Sequence, residues 1–282
     1  MGIFTVPTLS VRKTRIYVSP SSTYRGEQLT LYKTEVHTQF DDGWLILPVP
    51  YPQTLRFHRP HYPSPPNHVP YLDFLDSVER AFDHGGRRAL RTIPPSQVAP
   101  YEQIDIINSI DELRNLNLRE PMLHDSVIDQ LAEIYREPYW GFLLCALRRG
   151  HFVYEPICYT HQMISENLFI PSLIYQPRRF NDVRILEETD QFDDRYFMNG
   201  CQYSDSRGGH LTEVAENRIH TISWETLPHP YRQYLRYFLS ESRQGMHWNS
   251  DSIYPINESL HWEYSPRQRR YSTEFDFPIT PW

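Results

Sequence analysis

Residues 139 to 176 constrain the fold most. They hold three apolar runs rich in β-branched and aromatic residues, 139–147, 151–161 and 168–175, broken by Arg148-Arg149-Gly150 and Ser165-Glu166-Asn167. Runs of this length and composition read as strands, and both breaks favour turns. Together they predict an antiparallel meander at the centre of a sheet. The fold class expected around it is α+β: a single domain with a central, mainly antiparallel β-sheet flanked by two or three helices, plus extended N- and C-terminal arms.

The rest of the chain fits around that meander. Residues 1–12 show no periodicity and read as an N-terminal arm, the body spans 13–244, and 245–282 read as a C-terminal arm rich in Ser, Pro and Tyr. Residues 15–18 and 28–36 are strand-like, and Trp44-Leu45-Ile46-Leu47 is an apolar strand that Pro48 and Pro50 should end. The proline-rich stretch 51–70 reads as a loop. Leu72, Leu75, Val78 and Phe82 recur at helical spacing, and Asp83-His84-Gly85-Gly86 supplies a stop. Ser109 and Glu112 form a capping box at the start of a short helix. Val127, Ile128, Leu131 and Ile134 mark another helix, ended by Pro138, and an aromatic helix is expected over 228–242. Residues 182–186 and 196–198 read as edge strands, with solvated acids between them.

Composition narrows the function. Three widely spaced cysteines, Cys145, Cys158 and Cys201, form no disulfide framework and suit a reducing compartment. The chain shows neither a secretory leader nor an apolar run long enough to span a bilayer, so a non-secreted, intracellular or virion location is expected. A formal charge of -7 argues against nucleic acid as the main partner. Lysines occur only at 13 and 33 among 28 basic residues, and 20 Tyr, 14 Phe and 6 Trp accompany the arginines. Arginine and aromatic side chains are enriched in contact surfaces between proteins. Arg148 and Arg149 at the turn, and Trp248, Trp262, Arg267, Arg269, Arg270 and Trp282 in the tail, are the candidate interaction residues.

Catalytic chemistry has one candidate. His151, Glu155 and His161 share strand parity and would face one side of the sheet, where they could serve a hydrolase, with or without a metal. Cys158 has the opposite parity, which argues against a zinc chelate with His161. No cofactor is expected, and no Gly-x-Ser-x-Gly, His-Glu-x-x-His or Walker pattern occurs.

A resemblance adds to this reading. The motifs, in order, are Ile46-Leu47-Pro48, a helix carrying Leu75-Asp76 and Phe82, Ile110-Asp111-Glu112-Leu113, and Tyr135 followed by Trp140-Gly141-Phe142. Glu155-Pro156-Ile157-Cys158-Tyr159, Leu168-Phe169-Ile170-Pro171 and Phe192-Asp193-Asp194 complete the set. In that order they resemble a family of uncharacterised proteins from bacteria and large DNA viruses, over roughly residues 28 to 203. The resemblance implies histidines at Glu155 and within Leu173-Ile174-Tyr175; this chain lacks them, and no activity carries over. The expected function is therefore a non-catalytic structural or interaction protein. It would be a subunit of a large assembly, concretely a minor capsid or other virion protein of a large DNA virus, holding other subunits through its terminal arms.

Overall fold

The computed structural model describes residues 2–21, 24, 26–59, 69–83, 98–116, 123–165, 167–177, 194–199, 212–213, 216–219, 221–228, 231, 239–243 and 252–255. The first half contributes β1 (Gly2–Phe4), β2 (Thr8–Pro20), β3 (Glu27–Thr38), β4 (Trp44–Pro50), β5 (Arg56–Phe57), α1 (Pro70–Phe82), β6 (Val98–Ala99) and β7 (Ile104–Ile107). Next come α2 (Ile110–Asn115), α3 (Asp125–Ile134), β8 (Trp140–Ala146), β9 (Gly150–Tyr154), β10 (Ile157–Gln162), β11 (Asn167–Ile170) and β12 (Ile174–Tyr175). The last part holds β13 (Arg195–Asn199), β14 (Thr212–Glu213), α4 (Glu216–Ile219), β15 (Leu239–Arg243) and β16 (Ser252–Pro255).

The α+β class holds, with sheet dominating and the pairing mainly antiparallel. The strands form not one central sheet but two large ones, which stack. One has the order β12-β1-β4-β8-β7; the other runs β14-β15-β13-β2-β3-β10-β5, with β9 and β6 attached beside β3. Leu45, Leu47, Val49, Leu143 and Cys145 from the first sheet meet Ile16, Val18, Tyr32, Val36, Tyr154 and Tyr159 from the second in a shared core. The outer face of the second sheet, through Tyr17, Leu29, Leu31 and Phe197, is covered by Phe74, Leu75 and Val78 of α1. The outer face of the first, through Ile46, Phe142 and Leu144, is covered by Leu113 of α2 and Val127, Ile128 and Leu131 of α3. The order of layers is helix, sheet, sheet, helix. Every residue of β8 is buried, as expected for a strand covered on both faces.

The meander is corrected by this layering. β8 pairs with β4 and β7, whereas β9 and β10 both pair with β3, at its two ends. Arg148-Arg149 thus carries the chain from one sheet to the other rather than turning a hairpin, and Glu155-Pro156 splits β9 from β10 along the same edge of β3. β11 leaves both large sheets and pairs with β16.

The N-terminal arm is also corrected. β1 lies between β12 and β4, with Ile3 opposite Tyr175 on one side and Ile46 on the other. Ile3, Phe4 and Val6 have no solvent exposure. Gly2 has φ 109°, and a Cβ there would sit 2.3 Å from Leu45 Cδ1, so the chain enters the sheet on a residue that must be glycine. β2 then runs from Thr8 through the expected arm boundary.

Other expectations shift for local reasons. β4 continues through Pro48 to Pro50 along β8 because β1 reaches only Leu45 and Ile46, so the far side of β4 needs no proline amide. Residues 52–54 form a 3-10 turn and β5 pairs with β10, although that stretch read as loop. β13 is interior, between β15 and β2, not an edge. Residues 239–243 form strand β15, so the helix expected over 228–242 does not extend there; 232–238 and the expected strand at 182–186 lie outside the described residues.

Candidate functional site

The structure does not bring together the three residues that a hydrolase would need. His151 on β9 lies opposite His37 of β3, and their rings stack at 5.4 Å. Its Nε2 is 2.7 Å from Glu35 Oε1, while Glu35 Oε2 faces Lys13 Nζ at 3.4 Å. Burial pushes the Glu35 carboxyl up, but His151 and Lys13 outweigh it and hold the group below the usual range. His161 on β10 lies opposite Gln28, nine positions away along β3. At about 3.4 Å per residue, the two histidines are separated by about 30 Å. Glu155 is exposed in the break between β9 and β10, and its amide donates to Ala99 O at 2.9 Å. Shared parity requires one continuous strand over 151–161; the break at Glu155-Pro156 makes two, β9 and β10, laid end to end along β3. The hydrolase constellation of His151, Glu155 and His161 is therefore dismantled. Among the described residues, no three His, Cys, Asp or Glu side chains converge as metal ligands.

His161 has a structural environment. It is fully buried, and its Nδ1 sits 2.8 Å from the carbonyl oxygen of Gln162. A carbonyl only accepts, so the proton is on Nδ1 and the bare lone pair is on Nε2, which has no partner among the described residues. Burial brings the pKa down to about 4. Cys145 and Cys158 are buried free thiols whose pKa burial pushes up, Cys158 to about 12, so neither is a thiolate nucleophile at neutral pH.

The principal charged constellation lies between α1 and the second sheet. Glu79 of α1 accepts from Arg15 Nε at 2.9 Å and Nη2 at 2.8 Å, and from Arg195 Nη1 at 2.9 Å. Arg195 also reaches Asp83 at 3.1 Å and Glu241 of β15. Arg15, Arg195 and Glu241 are all buried. Burial alone would raise the Glu79 pKa, but the hydrogen bonds and charge of Arg15, joined by Arg195, bring it down to about 2. Lys33 faces Asp76, one turn earlier on α1, at 3.4 Å. Two arginines face three carboxylates, and although Arg195 Nη2 has no hydrogen-bond partner among the described residues, the charge-assisted bonds that are made clamp α1 onto the sheet. Local pattern reading missed it because its members come from residues 15, 79, 83, 195 and 241. The available signal was an arginine heading each of two apolar runs, Arg15 before Ile16-Tyr17-Val18 and Arg195 before Tyr196-Phe197-Met198. Asp194, read as a solvated acid, is buried and accepts from the Thr14 amide at 3.1 Å.

Of the expected interaction residues, Arg148 and Arg149 are exposed where the chain changes sheets. Arg148 lies 3.3 Å from Glu102 and Arg149 lies 3.8 Å from Asp41. Trp248, Trp262, Arg267, Arg269, Arg270 and Trp282 lie outside the described residues. No helix among the described residues is long and apolar enough to cross a membrane.

No family model and no curated protein matches the chain. Among solved structures, the crystal structure of baculovirus P35 is similar at 10% identity and TM-score 0.47, covering 88% of this chain and 96% of that one. A mutated baculovirus P35 after caspase cleavage is similar at 9% identity and TM-score 0.38, covering 86% and 99% of the two chains. Likenesses at these scores assign the chain neither a family nor an activity.

Proposed function

We propose that this chain is a non-catalytic interaction protein, a subunit of a large protein assembly, and in its most concrete form a minor capsid or other virion protein of a large DNA virus. The observation that carries the reading is the pairing of β16 with β11, Leu168 opposite Tyr254 and Phe169 opposite Ile253. Here a segment of the C-terminal region adds itself edge-on to a strand that belongs to neither large sheet. Three of the six tryptophans and the Arg267-Gln268-Arg269-Arg270 cluster belong to that same region, 245–282. Large aromatic and arginine side chains dominate the energetics of protein contacts. The N-terminal residues are committed to the protein's own sheet, so the strap role falls to the C-terminal region alone. The ion pairs that Arg15 and Arg195 make with Glu79 and Glu241, and the separation of His151 from His161, support the non-catalytic reading.

Limited proteolysis of the free chain and of the assembled particle tests this. Cleavage within 256–282 is expected in the free chain and protection in the particle. Equal cleavage rates in both, or absence of the chain from any particle, would contradict the reading.

A further inference from the structure

We propose that β7 is a docking edge for an extended basic segment of a partner protein, which adds a strand to the first sheet. The proposal rests on the interaction-protein reading above and names a surface and a partner class for it. β7 closes one end of the first sheet. The other terminal strands of the two large sheets, β12, β5 and β14, are two residues long, whereas β7 has four. One side of β7 bonds β8; alternate residues direct their amide and carbonyl groups to the other side, where no strand follows among the described residues. Natural sheets guard such an edge with charged side chains, lysine above all, with proline or with a very short strand. Ile104-Asp105-Ile106-Ile107 has a single charge, the acid Asp105, and neither lysine nor proline.

The side chains point the same way. Ile104 and Ile106 share a face and are 36% and 37% exposed. They sit opposite Cys145 and Leu143, which line the core between the sheets. The apolar face of that core thus runs past its own rim into solvent, where an added strand could cover it. Main-chain bonding would supply affinity in such a complex, and alternate side chains would supply specificity.

Charge selects the occupant. Glu102 precedes the strand, Asp105 lies in it, and Asp111 and Glu112 follow on α2, against Arg114 on α2 and Arg148, the partner of Glu102. Arg148 is held by Glu102 at 3.3 Å, and Arg114 by Asp129 at 2.7 Å and Asp111 at 3.9 Å. The net acidic edge calls for lysine or arginine on the incoming strand, alternating with apolar residues. A second copy of this chain suits it less: antiparallel self-pairing centred on residue 105 sets Asp105 opposite Asp105, and like charges directly opposite destabilise a ladder.

The test uses the full chain and two blocked synthetic peptides, one alternating Val and Lys, the other Val and Glu, titrated by fluorescence anisotropy at low and high salt. The Val/Lys peptide is expected to bind, more weakly as salt rises, and to lose affinity by at least about tenfold against Ile104→Lys/Ile106→Lys. Asp105→Lys is expected to shift preference toward the Val/Glu peptide; it carries the test alone if the double variant fails to fold by circular dichroism. No binding of the Val/Lys peptide, or equal binding by the wild type and Asp105→Lys, would overturn the proposal. Concentration-dependent self-association that Asp105→Lys alters would overturn the choice of partner in favour of a second copy. Entry of the Asp105→Lys chain into particles with its C-terminal region still protected shows that the interaction-protein reading stands even if the β7 proposal falls.

Discussion

Replacing Glu79 by glutamine is expected to lower the stability of the fold by about 3–5 kcal/mol at neutral pH, measured as a shift of the urea midpoint at unchanged slope. The substitution keeps the size of the side chain and removes only its charge. Arg15 then loses its bidentate carboxylate and Arg195 one of its three acidic contacts, while both remain buried. Removing one member of a buried, hydrogen-bonded ion pair costs far more than the net gain of the intact pair. Asp129→Asn is the control, because its ion pair with Arg114, at 2.7 Å, is exposed on both sides. It is expected to cost less than about 1 kcal/mol. Glu79 also sets an acid limit. Its folded pKa, about 2, lies below the ordinary 4.5, so its contribution is complete above 4.5 and is lost as pH falls from there toward 2.

A second acid transition is expected at higher pH, from His161. Its folded pKa is about 4 against an ordinary 6.5. Below 6.5 the unfolded chain takes up the proton and the folded chain does not, so stability is complete above 6.5 and falls as pH drops toward 4. The difference is about 3 kcal/mol at about 1.4 kcal/mol per unit. Protonating Nε2 would place a new N–H, with no acceptor among the described residues, in a fully buried position. Chemical denaturation at closely spaced pH values reads this directly. His161→Leu is expected to flatten the fall between pH 6.5 and 4 while leaving the Glu79 step below 4.5 in place.

Elements with one apolar and one solvent-facing side were legible in the sequence. The stripe of α1 and the Ser109 cap of α2, whose hydroxyl accepts from the Glu112 amide at 3.1 Å, stood where spacing put them. The strands were legible as strands but not in their partners. β8 is apolar on both faces, and such a run carries no polarity to say which sheet it joins. β1 is three residues long, too short for any period to show. Register is equally silent: whether His151 and His161 converge depends on how β9 and β10 align on β3, a non-local fact. The charged clamp has the same origin, since its carboxylates and guanidinium groups meet only after the sheet has formed. The chemistry expected at one sheet face therefore dissolved, and the chemistry present, a structural ion cluster, came from residues scattered over the chain.

The central claim is that this scaffold presents binding surface rather than reactive groups. Its most direct test is to place a photo-crosslinking amino acid at position 106 or at position 262 of the full chain, irradiate the intact particle or producing cell, and identify the adducts by mass spectrometry. The account expects adducts to other protein chains from both positions, with a basic extended segment trapped at 106. Adducts confined to the same chain, together with turnover of a small substrate that disappears on His151→Ala or His161→Leu, would contradict it.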